Sequence, residues 1–388
     1  MIKNKAFLIM EDGTKFVGKS IGINGIVIGE VVFNTSMTGY QEILTDPSYY
    51  KQILIFTYPH IGNVGINKED EESSKIYLKG LVIHNLSKIS SNYRSQNTLD
   101  IYLKKKNVVA ISDIDTRQLT RLLRNKKINI GCIITTNIVN INLQYFINKM
   151  KQFSNLQELD LVKEITTNRN YSWIKGNTNY KIIKKNIKKK SLLPMNIIAF
   201  DFGIKKNILN ILVDLGCHVT VVSAHTDFKK IIDFNPDGIF LSNGPGNPEL
   251  CFYAIYSVKQ LLKTNIPIFG ICLGHQILAL ASGAKTKKMF LGHHGSNHPV
   301  KDIKTNKIFI TTQNHGFTVD INSIPVNLKI THKSLFDNTI QGIHRIDKPA
   351  FGFQGHPEAS PGSHDASILF DYFIELIQKY CLEKYERL

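Results

Sequence analysis

Residues 266–283 read IPIFGICLGHQILALASG, and this segment constrains the fold more than any other. A short apolar run, Ile266 to Phe269, meets Gly270-Ile271-Cys272-Leu273-Gly274, and a helical apolar stripe begins at once. A buried strand turning directly into a helix belongs to alternating α/β architecture with a parallel sheet. Glycines two residues either side of Cys272 permit a sharp turn and close packing. Such a turn lifts the cysteine to the carboxyl edge of the sheet, where open α/β sheets bind ligands. The pattern is that of a nucleophile elbow with cysteine in place of serine. In it, the backbone N–H of Leu273 would face a developing oxyanion. The alternative is a plain core cysteine, which does not need flanking glycines.

The pattern around this segment agrees. From Met195 onward, strand-like NIIAFDF, helical KKNILNILVDLG, strand-like HVTVVSA and GIFLSN, and a helix around Tyr253 to Leu262 precede the elbow. His364 to Tyr380 reads as a closing amphipathic helix. Strands alternating with helices predict a mostly parallel sheet with right-handed crossovers. The first part is different. AFLIM and TKFVGKS flank Glu11-Asp12-Gly13, a hairpin turn signal, and further apolar runs follow in GIVIGEVVF, QILIFTY and LKGLVI. Leu119, Leu122 and Leu123 share a helical face, and Leu143 to Phe153 suits another helix. The expected organisation is therefore α/β: a mixed α/β domain over 1–153, a polar connector over 154–194 that has some local structure and contains Trp173, and a second α/β domain over 195–388.

A thiol nucleophile needs a base. FGFQGHPEASPG offers His356 and Glu358, two apart; in an extended segment they would project to one side, about 7 Å apart at Cα. Glu358 could then orient the ring of His356 and leave its other nitrogen for Cys272. GIFLSNGPGNP ends a strand in a loop whose Gly244 and Gly246 allow close backbone approach to a ligand, although an ordinary tight turn fits the same residues. TTQNHGFTV, Thr311 to Val319, gathers amide side chains near Gly316. GHHGSNHP carries His293, His294 and His298, whose spacing matches no closed metal site; with Pro299 as a terminator they read as loop histidines.

One motif is rejected. GTKFVGKS, Gly13 to Ser20, matches the phosphate-loop pattern letter for letter. That mechanism requires a helix immediately after the loop, with its N-terminus on the phosphates. Here the interior is β-branched and aromatic, and SIGINGIVIGE follows with no helical period, so a hairpin strand is expected.

The formal net charge of +17 raises the question of nucleic acid. The excess is mostly scattered lysine, and the one dense run, Lys184 to Lys190, falls in the connector. Scattered charge neutralises few phosphates at once, so no nucleic-acid partner is expected. The five cysteines form no CxxC pair, which argues against a disulfide framework or a zinc site. No apolar run reaches membrane-spanning length and no secretory leader is recognisable, so a cytoplasmic location is expected.

With the elbow, the GPG loop and HPE in this order, residues 195 to 380 resemble the class I, or triad, glutamine amidotransferases. VVFNTSMTGYQEILTDPSYYKQILIFTYPHIGNVG, Val31 to Gly65, and ISDIDTRQLTRLLR resemble the amino-terminal domain of the carbamoyl-phosphate synthase small-subunit family. The resemblance implies a class I glutamine amidotransferase domain with Cys272, His356 and Glu358 as the catalytic triad. It implies that Ser48 reaches the L-glutamine pocket from the first domain. Gly244, Gly246, Leu273, Gln276, Asn314, Gly316 and Phe317 take the other glutamine-contacting positions, with the N–H groups of Gly244 and Leu273 as the oxyanion hole. It further implies a large synthetase subunit as partner in a heterodimer or higher assembly. ATP and magnesium are used there, with no cofactor or metal in this chain, and the product is carbamoyl phosphate for arginine and pyrimidine synthesis. Asn247 departs from the family's GPGDP loop and removes one charge. The nearest rivals are amidotransferase subunits serving anthranilate or guanylate synthesis, which the TDPSYY-bearing first domain disfavours. A basic binding protein on a decayed amidotransferase fold is disfavoured by the complete set Cys272, His356 and Glu358.

Overall fold

A computed structural model describes residues 5–126, 128–135, 142–153, 158–176 and 194–386. The chain divides into two compact units: Met1–Glu158 with Phe290–Gly295, and Leu159–Met289 with Ser296–Leu388.

The first unit contains β1 (Lys5–Met10), β2 (Lys15–Ser20), β3 (Ile26–Asn34), β4 (Gln52–Phe56), β5 (His60–Ile61), β6 (Gly80–Val82), β7 (Asn85–Leu86), β8 (Val109–Ser112) and β9 (Ile130–Ile134). Seven of these close a barrel in the order β1-β2-β8-β6-β4-β3-β9, while β5 and β7 form a small separate pair. Closure removes the exposed strand edges that an open sheet would present. Period-2 alternation divides the packing. Leu8, Val31, Ile53, Ile55, Val82, Ile111 and Ile133 belong to one cluster, with Leu119 and Leu123 of the helix Thr116–Lys126. The alternate residues Leu54, Phe56, Leu81 and Ala110 pack with Leu99, Tyr102 and Leu103 of the helix Leu99–Lys105. β1 and β2 pair antiparallel with Ile9 opposite Lys15, and Gly13 takes φ +86° in the turn between them. Lys15–Ser20 is therefore a strand with no helix behind it, which disposes of the phosphate-loop reading.

The second unit is built on a ten-stranded sheet. Its strands are β10 (Tyr171–Trp173), β11 (Met195–Asp201), β12 (Cys217–Ser223), β13 (Gly238–Leu241), β14 (Ile268–Ile271), β15 (Thr286–Asp302), β16 (Ile308–Val319), β17 (Leu328–Ser334), β18 (Ile340–Arg345) and β19 (Ala350–Phe353). The order is β10-β12-β11-β13-β14-β19-β18-β17-β15-β16. β12, β11, β13, β14 and β19 run parallel, and strands beyond β19 are antiparallel. Phe240, Phe269, Phe351, Phe370 and Phe373 fill one face of the parallel part, with the rings of Phe269 and Phe351 stacked at 4.4 Å. Burying a side chain of this size contributes roughly 1.5–3 kcal/mol. Val162, Ile198, Phe200, Leu241, Ile277 and Leu278 fill the other face.

The local structure expected in the polar stretch 154–194 comprises, in its described part, the helix Leu161–Ile165 and the strand β10, which pairs antiparallel with β12. Trp173 explains this: its ring packs on the second unit's core, and its indole N–H donates to Asn210 Oδ1 at 2.9 Å. The basic run Lys184 to Lys190 lies outside the described residues. His293, His294 and His298, expected in a loop, are buried within β15, which continues past Pro299 to pair with β17 at Val300. Proline removes one ladder donor but leaves its carbonyl, which accepts from Leu335 N–H at 3.0 Å. Among the described residues no helix is long and apolar enough to cross a membrane.

Candidate active site

Four segments leave the parallel strands at the same carboxyl edge of the sheet: 202–205 after β11, 242–246 after β13, Cys272 after β14, and 354–358 after β19. This is where an open α/β sheet gathers its chemistry.

The elbow is tightly made. Cys272 adopts φ 52° and ψ −106°, a conformation that costs about 1–3 kcal/mol for a residue with a side chain. Hydrogen bonds over-determine it: Cys272 N–H donates to Phe353 O at 2.9 Å, and Gly274 N–H to Ser242 O at 2.9 Å. The glycines are sterically required. A Cβ on Gly274 would lie 2.1 Å from Leu241 O, and one on Gly270 would lie 2.5 Å from Gly274 O. Leu273 opens the helix Leu273–Ala281, so its N–H has no partner within the helix. The thiol of Cys272 is 2% exposed and donates to the backbone carbonyl of Asn314 at 3.5 Å.

His356 and Glu358 are also buried. Nδ1 of His356 is 2.6 Å from Oε1 of Glu358. The segment is not extended, as the sequence spacing suggested. His356 N–H bridges to Thr312 O at 2.8 Å, and the chain then turns, with Ala359 N–H donating to His356 O at 3.1 Å. The turn, not strand alternation, brings the carboxylate back to the ring. Nε2 of His356 has no conventional hydrogen-bond partner among the described residues, and the Cys272 sulfur is close enough to act on the ring. Burial disfavours the imidazolium, but the Glu358 carboxylate and Cys272 outweigh it, raising His356 to about 10. Burial likewise disfavours the Glu358 carboxylate, but Lys205 and His356 outweigh it and hold its pKa down at about 2.

Lys205 is the residue that sequence reasoning missed. It is 2% exposed, and its Nζ donates to Glu358 Oε1 at 2.9 Å, Ala359 O at 2.8 Å and Ser360 O at 3.0 Å. Asn207 holds the same turn, its Nδ2 donating to Glu358 O at 2.7 Å. Asp201 shapes the loop that presents Lys205 by accepting from the N–H groups of Gly203 and Ile204 at 3.0 and 2.9 Å. The available signal was a lysine directly after a strand, at the edge where sites collect.

Of the other expected positions in this unit, Gly244, Gln276 and Asn314 meet the elbow directly. A Cβ on Gly244 would lie 2.1 Å from Phe202 O and 2.9 Å from Leu273 Cδ2, so the glycine loop lies against the helix start. Gly246 takes φ +89°. Gln276 Nε2 donates to Phe317 O at 2.8 Å and to Gln354 Oε1 at 3.0 Å, tying the elbow helix to the strand that carries Asn314, Gly316 and Phe317. Asn247 caps the turn Pro248–Leu250, accepting from Glu249 N–H at 3.1 Å. Ser48 lies in the first unit, in the turn Pro47–Tyr49, buried, with its N–H bonded to Asp46 Oδ1 at 2.9 Å. Among the described residues no group of three or more His, Cys, Asp or Glu side chains could hold a metal ion.

Two protein families match the chain. Residues 198–376 match the class-I glutamine amidotransferase family, and residues 8–133 match the CPSase domain of the carbamoyl-phosphate synthase small chain. A carbamoyl phosphate synthase small chain of Pectobacterium atrosepticum is 60% identical over 380 residues, 98% of this chain and 99% of that one. The small chain of Escherichia coli K12 is 59% identical, with the same coverage. That of Buchnera aphidicola from Acyrthosiphon pisum is 59% identical, covering 97% of each chain. An identity this high, sustained across both units and nearly the whole length of each relative, leaves one assignment: the chain belongs to the family of carbamoyl-phosphate synthase small chains.

Proposed function

We propose that this chain is the glutamine-hydrolysing subunit of a carbamoyl-phosphate synthase and that Cys272, His356 and Glu358 are its catalytic triad. The observation that carries the reading is a strained, buried cysteine at the sheet edge beside a histidine that a buried carboxylate orients at 2.6 Å. The thiolate of Cys272 attacks the side-chain carboxamide carbon of L-glutamine, forming a C–S bond. The N–H groups of Leu273 and Gly244 receive the oxyanion, a contribution of about 3 to 4 kcal/mol per donor. His356 donates its proton to the departing nitrogen as the C–N bond breaks, and ammonia leaves. His356 then takes a proton from water, which attacks the thioester; the C–S bond breaks and glutamate is released. Glu358 keeps the ring in the required orientation and stabilises its protonated form throughout.

Ser48, Gly246, Gln276, Asn314, Gly316 and Phe317 complete the glutamine pocket in this proposal. Ammonia passes to a large synthetase subunit, which uses ATP and magnesium; this chain holds no cofactor. The pair works in the cytoplasm as a heterodimer or a larger assembly of such pairs, and scattered surface lysines give it no specific nucleic-acid partner.

The test measures glutamate release by the purified chain, with and without its large subunit, bicarbonate and ATP. Hydrolysis that accelerates when the partner turns over is expected, because a misplacement of about 1 Å between Cys272 and His356 can cost roughly 100-fold and a docked partner can correct it. Equal rates in all conditions would make the chain a stand-alone amidase. No hydrolysis in any condition would remove the reading altogether.

A further inference from the structure

The helix Ile368–Tyr385 covers one face of the parallel strands, packing Phe370, Phe373 and Ile377 with Phe240, Phe269 and Phe351. A helix about 10 Å across spans only about two strands at their usual spacing of about 4.8 Å. β18 and β17 lie beyond β19 in the sheet, and a recess of about 610 Å³ opens over them, between the helix flank at Leu369 and Tyr372 and the loop 302–304. Cavities that hold small organic molecules run from roughly 300 to 1,000 Å³.

Strand register builds the floor of this recess. Lys329 of β17 stands opposite His344 of β18, and His344 opposite Phe351 of β19, so the three side chains form a row on one face. Tyr372 closes the row from the helix, its ring 4.9 Å from that of Phe351 and its hydroxyl 3.0 Å from His344 Nε2. In the next row a bulge in β17 shifts the register between Ile330 and His332. Thr331 and His332 both crowd Gly342, where a Cβ would lie 2.6 Å from Thr331 Oγ1 and 2.5 Å from His332 Nδ1. The imidazole of His332 meets the ring of Phe353 at 5.2 Å. The elbow helix lies against the opposite face of the sheet: a Cβ on Gly352 would point at His275, 2.9 Å from its Nδ1, while the neighbours Phe351 and Phe353 point the other way.

The mouth of the recess is cationic. Lys304 and Lys329 are exposed on its rim, and among the described residues neither ammonium has a hydrogen-bonding or acidic partner. The one acid in the lining, Asp302, is committed to its own loop, accepting from Lys304 N–H at 2.8 Å and from Thr305 Oγ1 at 2.7 Å. A flat apolar body suits the floor and a single anionic group suits the mouth.

We propose that this recess is a second binding site, separate from the catalytic centre, for a small aromatic carboxylate. Its ring packs among His332, His344, Phe351, Phe353 and Tyr372, and its carboxylate meets Lys304 and Lys329.

The test is isothermal titration of the full chain with two probes of the same shape, 2-naphthoate and the neutral 2-naphthamide. Wild type should bind 2-naphthoate saturably, one per chain, and 2-naphthamide about 10-fold more weakly, since two exposed charge contacts contribute a few-fold each. The double variant Lys304→Met, Lys329→Met alters only exposed side chains. It should lower the affinity for 2-naphthoate to that for 2-naphthamide and leave 2-naphthamide unaffected. His344→Ala removes a ring from the floor and should weaken both probes about 3-fold or more. Added salt should weaken 2-naphthoate in wild type and not in the double variant. No saturable binding of 2-naphthoate overturns the proposal. Equal affinity of wild type for the two probes overturns it as well, and so does an affinity for 2-naphthoate that the double variant leaves unchanged. Binding of both probes that is untouched by His344→Ala would place them elsewhere on the chain and overturns it too.

Discussion

Nζ of Lys205 and Nδ1 of His356 converge on a single oxygen of Glu358, at 2.9 and 2.6 Å. One buried carboxylate thus serves two cationic partners, one from the loop after β11 and one from the segment after β19. The lysine also binds the carbonyls of Ala359 and Ser360, both at positive φ, 56° and 55°. The charge pair and the strained turn therefore depend on the same side chain.

Removing that lysine should be costly. Lys205→Met leaves a fully buried carboxylate with one partner fewer and two carbonyls without a donor. Breaking one side of a buried pair typically costs about 3–5 kcal/mol. Denaturant unfolding should show a loss of that order, together with slower glutamine hydrolysis. A variant with unaltered stability would mean the pair contributes nothing net.

Cys272→Ser should lose glutamine-dependent synthesis while the complex keeps synthesis from added ammonia. A serine hydroxyl is far less ionised than a thiol, and His356 sits beside sulfur. The comparison is carbamoyl phosphate formed from glutamine and from ammonium. Near wild-type glutamate release by the serine variant would show that another group is the nucleophile.

The pH dependence follows from the two shifted groups. His356 is raised to about 10, so its stabilisation is fully present below its ordinary value near 6.5 and is lost as pH rises through 10. Glu358 is lowered to about 2, so its stabilisation is present above its ordinary value near 4.5 and is lost as pH falls through 2. The Tm difference between wild type and His356→Gln should be greatest at pH 5–6 and narrow from pH 7 toward 10, as followed by thermal melts across the range. A difference that widens on the alkaline side would contradict this charge arrangement.

The glycines of the elbow separate two kinds of cost. Gly274→Ala would place a Cβ 2.1 Å from Leu241 O, a backbone clash that only main-chain movement relieves. A loss of about 2 kcal/mol or more is expected, with a matching loss of activity. Gly216→Ala meets nothing within 4 Å, and only its φ of +89° is at issue. That change should cost about 1 kcal/mol and leave hydrolysis intact. Chemical denaturation and glutamate release on both variants check the contrast.

The sequence by itself determined the local events. Gly-X-Cys-X-Gly between an apolar run and a helical stripe dictates the elbow, because only glycines fit at positions 270 and 274. Alternation of strand and helix after Met195 dictates the parallel sheet, and Glu11-Asp12-Gly13 the first hairpin. These features depend on residues a few positions apart, where steric rules and periodicity act directly. Tertiary structure decided what depends on distant partners. Lys205 and Glu358 are 153 positions apart, and nothing local to either announces the pair. Polar residues 171–173 become a strand because β12 offers an edge and the second unit's core takes the ring of Trp173. His293, His294 and His298 read as loop because histidine and proline are weak strand formers, and pairing beyond Pro299 overrides that preference. His356 reaches Glu358 through a turn held by Thr312, Lys205 and Asn207, none of which is near it in sequence. Local chemistry pointed to Cys272 and His356 as candidates, and long-range contacts brought Lys205 and Glu358 to the histidine.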